Sequence, residues 1–225
     1  MLFTVPVLLC GLAFAGAPAP APDFPAYQAA MNEFQSGNFR QASATLQDAL
    51  QQHPQNVSAE ILLARCYYEL RDWDRAVAHA ESAVRMDPAD AEAHLWLGRT
   101  YGRKADQAHS LALAVKTRSE FQKAASLAPR NVEAHRDLME YYLEAPWIIG
   151  GSKDKARKEA RTIATLDPVE GKLAEAQVAK QSGHMDKARE EYENLLSMKL
   201  DRVGPYLEAA DFYLAHQNIA KFVAA

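Results

Sequence analysis

Seven histidines stand at positions 53, 79, 94, 109, 135, 184 and 216, and no two of them form the His-x-x-x-His pair that presents two imidazoles to one metal ion. His94 and His135 occupy the same place in a repeating pattern, which marks them as packing or edge residues rather than ligands. No Gly-x-Ser-x-Gly elbow offers a nucleophile, and no Gly-rich phosphate loop follows a strand. Gly150, Gly151 and Ser152 precede a helix but lack P-loop spacing. Asp and Glu fall mostly beside Lys or Arg at helical spacing, as in DKAREEYE (186–193), the pattern of solvated helix faces. We therefore expect no catalytic residue, no metal and no cofactor. Cys66 lies among Leu62, Leu63 and Tyr67, where a lone thiol is a small buried apolar group.

Charge narrows the partners. The formal net charge of −4 argues against nucleic acid, whose phosphates are held by clustered Lys and Arg. Two segments run the other way: 99–123 holds six Lys or Arg against two acids, and 153–161 holds five against two. Such runs suit an acidic partner, an anionic membrane surface, or simply water.

The start of the chain is a different material. MLFTVPVLLCGLAFA has no charged side chain, and Ala13 and Ala15 bracket Phe14 in the arrangement a signal peptidase accepts, so residues 1–15 read as a secretory signal and 16–22 as an Ala/Pro-rich linker. An export address places the mature protein in the periplasm or outside a bacterial cell, with membrane association only if the signal is retained. Cys10 leaves with the signal, and Cys66 then has no disulfide partner.

The elements that must position any site are legible in a self-similarity. Phe39–Pro54 and Trp73–Pro88 superimpose at an offset of 34 residues, with an aromatic, two Ala and a Pro in register. Ala-rich, Gly-poor composition with helical apolar spacing makes each unit a helix-turn-helix that cannot bury its apolar face alone and must stack. Five units follow from 23, at about 23–56, 57–90, 91–131, 132–168 and 169–202, and a final helix within 203–225 caps the stack. On that helix Tyr206, Leu207, Ala210 and Tyr213 are expected to face the core. The third unit is seven residues too long, and extending its second helix backwards from Phe121 keeps Ser110, Ala114, Thr117, Phe121 and Ala124 on one face. The fourth carries five extra residues in the turn LEAPWIIGGSKDKA.

Ala64, Tyr67, Trp73, Ala76, Ala80, Ala83 and Pro88 of the second unit match the pattern of the tetratricopeptide repeat, and the chain from 23 onward resembles that family. The resemblance implies an all-α, right-handed α-solenoid of about five hairpins plus a C-terminal capping helix, acting as a non-catalytic protein-binding adaptor or scaffold. It also implies a concave groove lined by the first helix of each hairpin. Carried over residue by residue, the partner-binding positions are Phe24, Tyr27, Met31 and Phe34, then Ile61, Arg65, Tyr68 and Glu69, then Leu95, Arg99 and Arg103, then Arg136, Glu140 and Glu144. Arg65, Arg99, Arg103 and Arg136 suit an acidic or C-terminal peptide segment, because the guanidinium fork pairs with carboxylate. Equally, they can pair with Glu69, Glu140 and Glu144 of neighbouring helices. Arg65 and Arg99 replace the Asn and Lys of the chaperone-tail clamp known in some relatives, so that partner class does not carry over. Trp147 in the fourth turn is either a partner contact or folds back with Ile149 over the gap made by the insertion. A second role in view is structural, with the stack self-associating through that turn as part of an envelope machine. The residues do not determine the oligomeric state.

Overall fold

The computed structural model of the chain describes residues 25–198, 200 and 202–215. The expected signal at 1–15, the linker at 16–22, Phe24, His216 and the remainder of the chain end lie outside the described residues. Eleven helices are described, α1 (Pro25–Gln35), α2 (Phe39–Gln52), α3 (Val57–Glu69), α4 (Trp73–Met86), α5 (Ala91–Ala108), α6 (Leu111–Leu127), α7 (Val132–Glu144), α8 (Lys153–Leu166), α9 (Pro168–Gln181), α10 (Met185–Leu196) and α11 (Gly204–Ala215). A 3-10 turn at Trp147–Ile149 stands between α7 and α8. No strand occurs among the described residues, and none of their helices is long and apolar enough to cross a membrane.

Helix ends follow from side-chain chemistry. Asn56, Asp72, Asp90, Ser110, Asn131, Ser152 and Asp167 each accept a hydrogen bond from a free amide of the first turn that follows. Within the hairpins the turn needs one left-handed residue. Glycine supplies it at Gly37 (φ 78°) and Gly183 (φ 81°), whereas Arg71 (φ 58°) and His109 (φ 50°) adopt it as non-glycine residues.

The helices group into two compact bodies, one ending at Pro129 with three hairpins (α1/α2, α3/α4, α5/α6), the other starting at Arg130 with α7/α8, α9/α10 and α11. Small residues meet where helices cross: Ala30, Ala42, Ala59, Ala64, Ala76, Ala80, Ala83, Ala93 and Ala124 are fully buried in the first body, and Ala134, Ala156, Ala176, Ala188 and Ala209 in the second. At Gly98 even a methyl group is excluded, since a Cβ there would stand 2.5 Å from the Phe121 ring. Cys66 is fully buried, and burial pushes its thiol up to about 12, so it packs and does not react.

Two expectations change. The extra residues of the third hairpin lengthen both helices rather than the second alone: α5 has 18 residues and α6 has 17, against 13 and 14 in α3 and α4. Thr117 is buried at that crossing with its hydroxyl donating to the Leu113 carbonyl at 3.0 Å, so its polar group is satisfied within its own helix. On α11 the buried face is Pro205, Ala209, Phe212 and Tyr213, while Tyr206 and Leu207 are 38% and 60% exposed. The helix carries two interleaved apolar stripes, and the core of α9 and α10, with the Tyr192 ring 4.6 Å from Phe212, selects one of them.

Each of four successive hairpins is clasped by an acid–base pair between its two helices. Glu60 meets His79 at 2.6 Å, His94 meets Glu120 at 2.6 Å, His135 meets Glu159 at 2.7 Å, and Lys172 donates to Glu191 at 2.8 Å. The partners are 19, 26, 24 and 19 residues apart, so the insertions of seven and five residues shift the spacing without moving the clasp. His94→Ala leaves Glu120 beside the crossing without its partner and should cost about 1–2 kcal/mol in chemical denaturation. The swap His94→Glu with Glu120→His copies the order of Glu60 and His79 and should recover at least half of that loss. A swap as unstable as the single variant would refute the equivalence of the clasps.

Candidate protein-binding face

In the first body α1, α3 and α5 lie side by side, and their outward residues bring together most of the positions expected to bind a partner. Tyr27, Met31 and Phe34 are half-buried on α1 and pack against the core beneath. Arg65 projects from α3 and is only 9% exposed. Its guanidinium lies 4.8 Å from the Phe34 ring centroid and 5.1 Å from that of Trp96, with Nη1 3.7 Å from Glu92. Arg99, one turn along α5 from Trp96, stacks on the same indole at 4.7 Å. Arg103 Nε donates to the Tyr68 hydroxyl at 2.8 Å, and the Tyr68 ring meets the edges of Trp73 (5.3 Å) and Trp96 (5.7 Å). The result is a ladder of rings and guanidinium groups across three helices. Burial and Glu92 push the Tyr27 hydroxyl up, against a smaller opposing effect of Arg65, which keeps it protonated beside the ladder.

Arg65 thus differs from Arg99 and Arg103. Enclosed by rings and bonded toward Glu92, it is a fixed positive charge, whereas the other two are half-buried and reach the surface. Leu95 and Ile61 turn into the core, at 3% and 4% exposed, and Trp96 takes the place on the face that the carried-over pattern assigned to Leu95. Sequence spacing alone signals Trp96 only through its helical alignment with Arg99 and Arg103.

The second body treats its expected residues differently. Arg136 on α7 is engaged by buried Glu170 of α9, which also accepts from Arg202 at 3.1 Å, while Arg202 reaches Asp167 at 2.7 Å. Glu92 thus stands within ion-pair distance of Arg65, and Glu170 engages Arg136. Glu140 is half-buried on the first-helix face of this body and takes a hydrogen bond from Gln177. Burial, reinforced by Asp137 and Glu144 and opposed by Arg136, pushes its carboxyl up to about 7. On α11 burial likewise raises Glu208, with Arg136 and Lys180 pulling the other way. Trp147 does not fold back: it is 85% exposed, while Ile149 alone packs inward.

Among the described residues no group of three or more His, Cys, Asp and Glu side chains is placed to hold a metal ion. A face of stacked guanidinium groups and aromatic edges is equipped for carboxylate and ring recognition.

Residues 33–94 match the family model for the tetratricopeptide repeat. Among solved structures, the chain is similar to TTC0263, a thermophilic TPR protein of Thermus thermophilus, with 20% identity over 84% of this chain and 97% of that one, TM-score 0.69. A tetratricopeptide repeat protein from Parabacteroides merdae has 15% identity over 86% and 72%, TM-score 0.67. PilW, a type IV pilus biogenesis factor, has 18% identity over 88% and 89%, TM-score 0.66. No curated protein sequence matches the chain. At these identities the likeness establishes the fold.

Glu140 yields a pH prediction. In the folded chain it keeps its proton to about pH 7, and in the unfolded chain it loses it near 4.5, so folding binds a proton between those values and stability falls as pH rises through them. Glu140→Gln should be more stable than wild type by about 1–2 kcal/mol in urea denaturation at about pH 8, and equal to it at about pH 4. An equal difference at both would assign the gain to packing instead.

Proposed function

We propose that this tetratricopeptide-repeat protein, whose helical solenoid is a protein–protein interaction scaffold, captures an extended or helical segment of a partner on the α1/α3/α5 face. The acidic or C-terminal end of that segment is held by Arg99 and Arg103, with Arg65 as the fixed charge behind them, and its apolar end lies against Tyr27, Met31 and Phe34. The observation that carries this reading is the ladder joining Phe34, Arg65, Trp96 and Arg99, with Tyr68 and Arg103 beside it. Rings hold the guanidinium planes before any ligand arrives, so little side-chain entropy is lost on binding. The tetratricopeptide family is generally non-catalytic, which agrees with the reading of an adaptor.

The compartment we propose is the bacterial envelope. The uncharged opening of the chain supports it, and two structural neighbours are described as a type IV pilus biogenesis factor and as PilF of Pseudomonas aeruginosa.

The test is capture of partner proteins from the envelope fraction of the native cell, followed by titration of the C-terminal peptide of each captured protein. Arg99→Glu with Arg103→Glu should weaken peptide binding by tenfold or more, about 1.4 kcal/mol, with thermal stability retained. Arg65→Glu should instead lower stability, because it puts a carboxylate against Phe34 and Trp96 near Glu92. Unchanged affinity in the double variant rejects this face.

A further inference from the structure

The turn between α7 and α8 is built to display two apolar side chains. Its backbone is internally bonded: Ile149 N and Gly151 N both donate to the Pro146 carbonyl at 3.1 Å, and Gly150 N donates to the Trp147 carbonyl at 3.0 Å. Ser152 N donates to the Tyr142 carbonyl at 2.8 Å, and the Tyr141 hydroxyl donates to the Ile149 carbonyl at 2.9 Å. Gly150 takes a left-handed φ of 102°, and a side chain at Gly151 would run into the Ala145 carbonyl. Ile149 is buried as the plug. Trp147 and Ile148, held on this frame, are 85% and 69% exposed and add nothing to the core below. A rigid apolar tip in water is a surface awaiting cover.

What covers it is indicated by the charge beside it. Directly after the turn, α8 buries Ala156, Ala160 and Ile163 and leaves Lys153, Lys155 and Lys158 exposed. The acids of this stretch are occupied: Asp154 accepts from Arg157 at 2.5 Å, and Glu159 is clasped by His135. Among the described residues none of the three lysines forms an ion pair, and Lys155 lies 5.4 Å from the Tyr142 ring. A two-residue tip has no walls to receive a complementary knob, so a flat, deformable phase covers it best. Indole partitions to the headgroup level of a bilayer, and lysines beside it attract anionic headgroups.

We propose that Trp147 and Ile148, with Lys153, Lys155 and Lys158, form a docking site for an anionic phospholipid surface. The site lies in the second body and shares no residue with the proposed peptide-binding face of the first.

The experiment is co-sedimentation of the full chain with phosphatidylcholine vesicles, with and without about 30% phosphatidylglycerol, while Trp emission is recorded. Wild type should bind the anionic vesicles with a blue shift, and binding should fall with added salt. Trp147→Ser with Ile148→Ser should lose the shift and bind at least tenfold more weakly, and replacing the three lysines by Gln should weaken binding about tenfold. Comparison within one chain cancels whatever the amino-terminal segment contributes. Both variants change exposed residues, and an unchanged melting temperature confirms that the fold is retained. No vesicle binding, equal binding to neutral vesicles, or equal binding by the tip variant overturns the proposal. So does a lipid-free dimer, seen by light scattering, that the tip variant abolishes, because the tip would then belong to a second copy of the chain.

Discussion

Two helices can lie close enough to seal a hairpin only where the side chains between them are nearly absent, and every other feature of this molecule is arranged around that contact. Ala42, Ala76, Ala80, Ala156, Ala160, Ala176 and Ala188 are 0–2% exposed at these crossings. Gly98 shows the limit of the requirement, since the Phe121 ring occupies the space its side chain would need. Close approach brings the flanking polar residues within bonding reach, and so the clasps of Glu60 with His79, His94 with Glu120, His135 with Glu159 and Lys172 with Glu191 form beside the same crossing. A half-buried carboxylate needs a partner, and either order of acid and base provides one. Polar bonding thus reinforces a register that apolar packing selects.

Both helices of a hairpin take part in that seal, and the first helices also present chemistry on their outer side. In the first body that chemistry is a set of guanidinium groups flattened on rings; in the second it is acidic, with Glu140 and Glu208 raised by burial and Arg136 committed to Glu170. The two bodies share one architecture and present different side chains on it. Insertions add further surfaces without disturbing the crossings, because they enter at the turns: one lengthens α5 and α6, and the other builds the frame that holds Trp147 and Ile148 in water.

The hairpins, their turns and the small crossing residues were legible in the sequence because each depends on local periodicity and on residue size, which a one-dimensional pattern preserves. Cys66 was legible as a packing residue for the same reason. Less was visible where two faces compete. On α11 both apolar stripes have helical spacing, and the core of α9 and α10, with Leu173, Ala176, Tyr192 and Leu195, distinguishes Ala209 and Phe212 from Tyr206 and Leu207. Trp96 and Leu95 are neighbours on one helix, about 100° apart around its axis, and the packing of α5 determines which of them joins the face.

By itself the sequence determined an all-helical chain of repeating hairpins, the places where helices meet, and which residues carry the charge, because propensity and spacing act within a few turns of chain. Tertiary structure alone decided which arginine is enclosed and which reaches the surface. Arg65 and Arg99 hold equivalent places in the pattern and Arg136 a different groove position, yet one is enclosed between Phe34 and Trp96, one rests on a ring at the surface, and one is bound by Glu170. How each charge is engaged depends on groups brought near it from distant parts of the chain, since electrostatic and cation–π energies follow distance in space and burial, neither of which a repeat unit specifies.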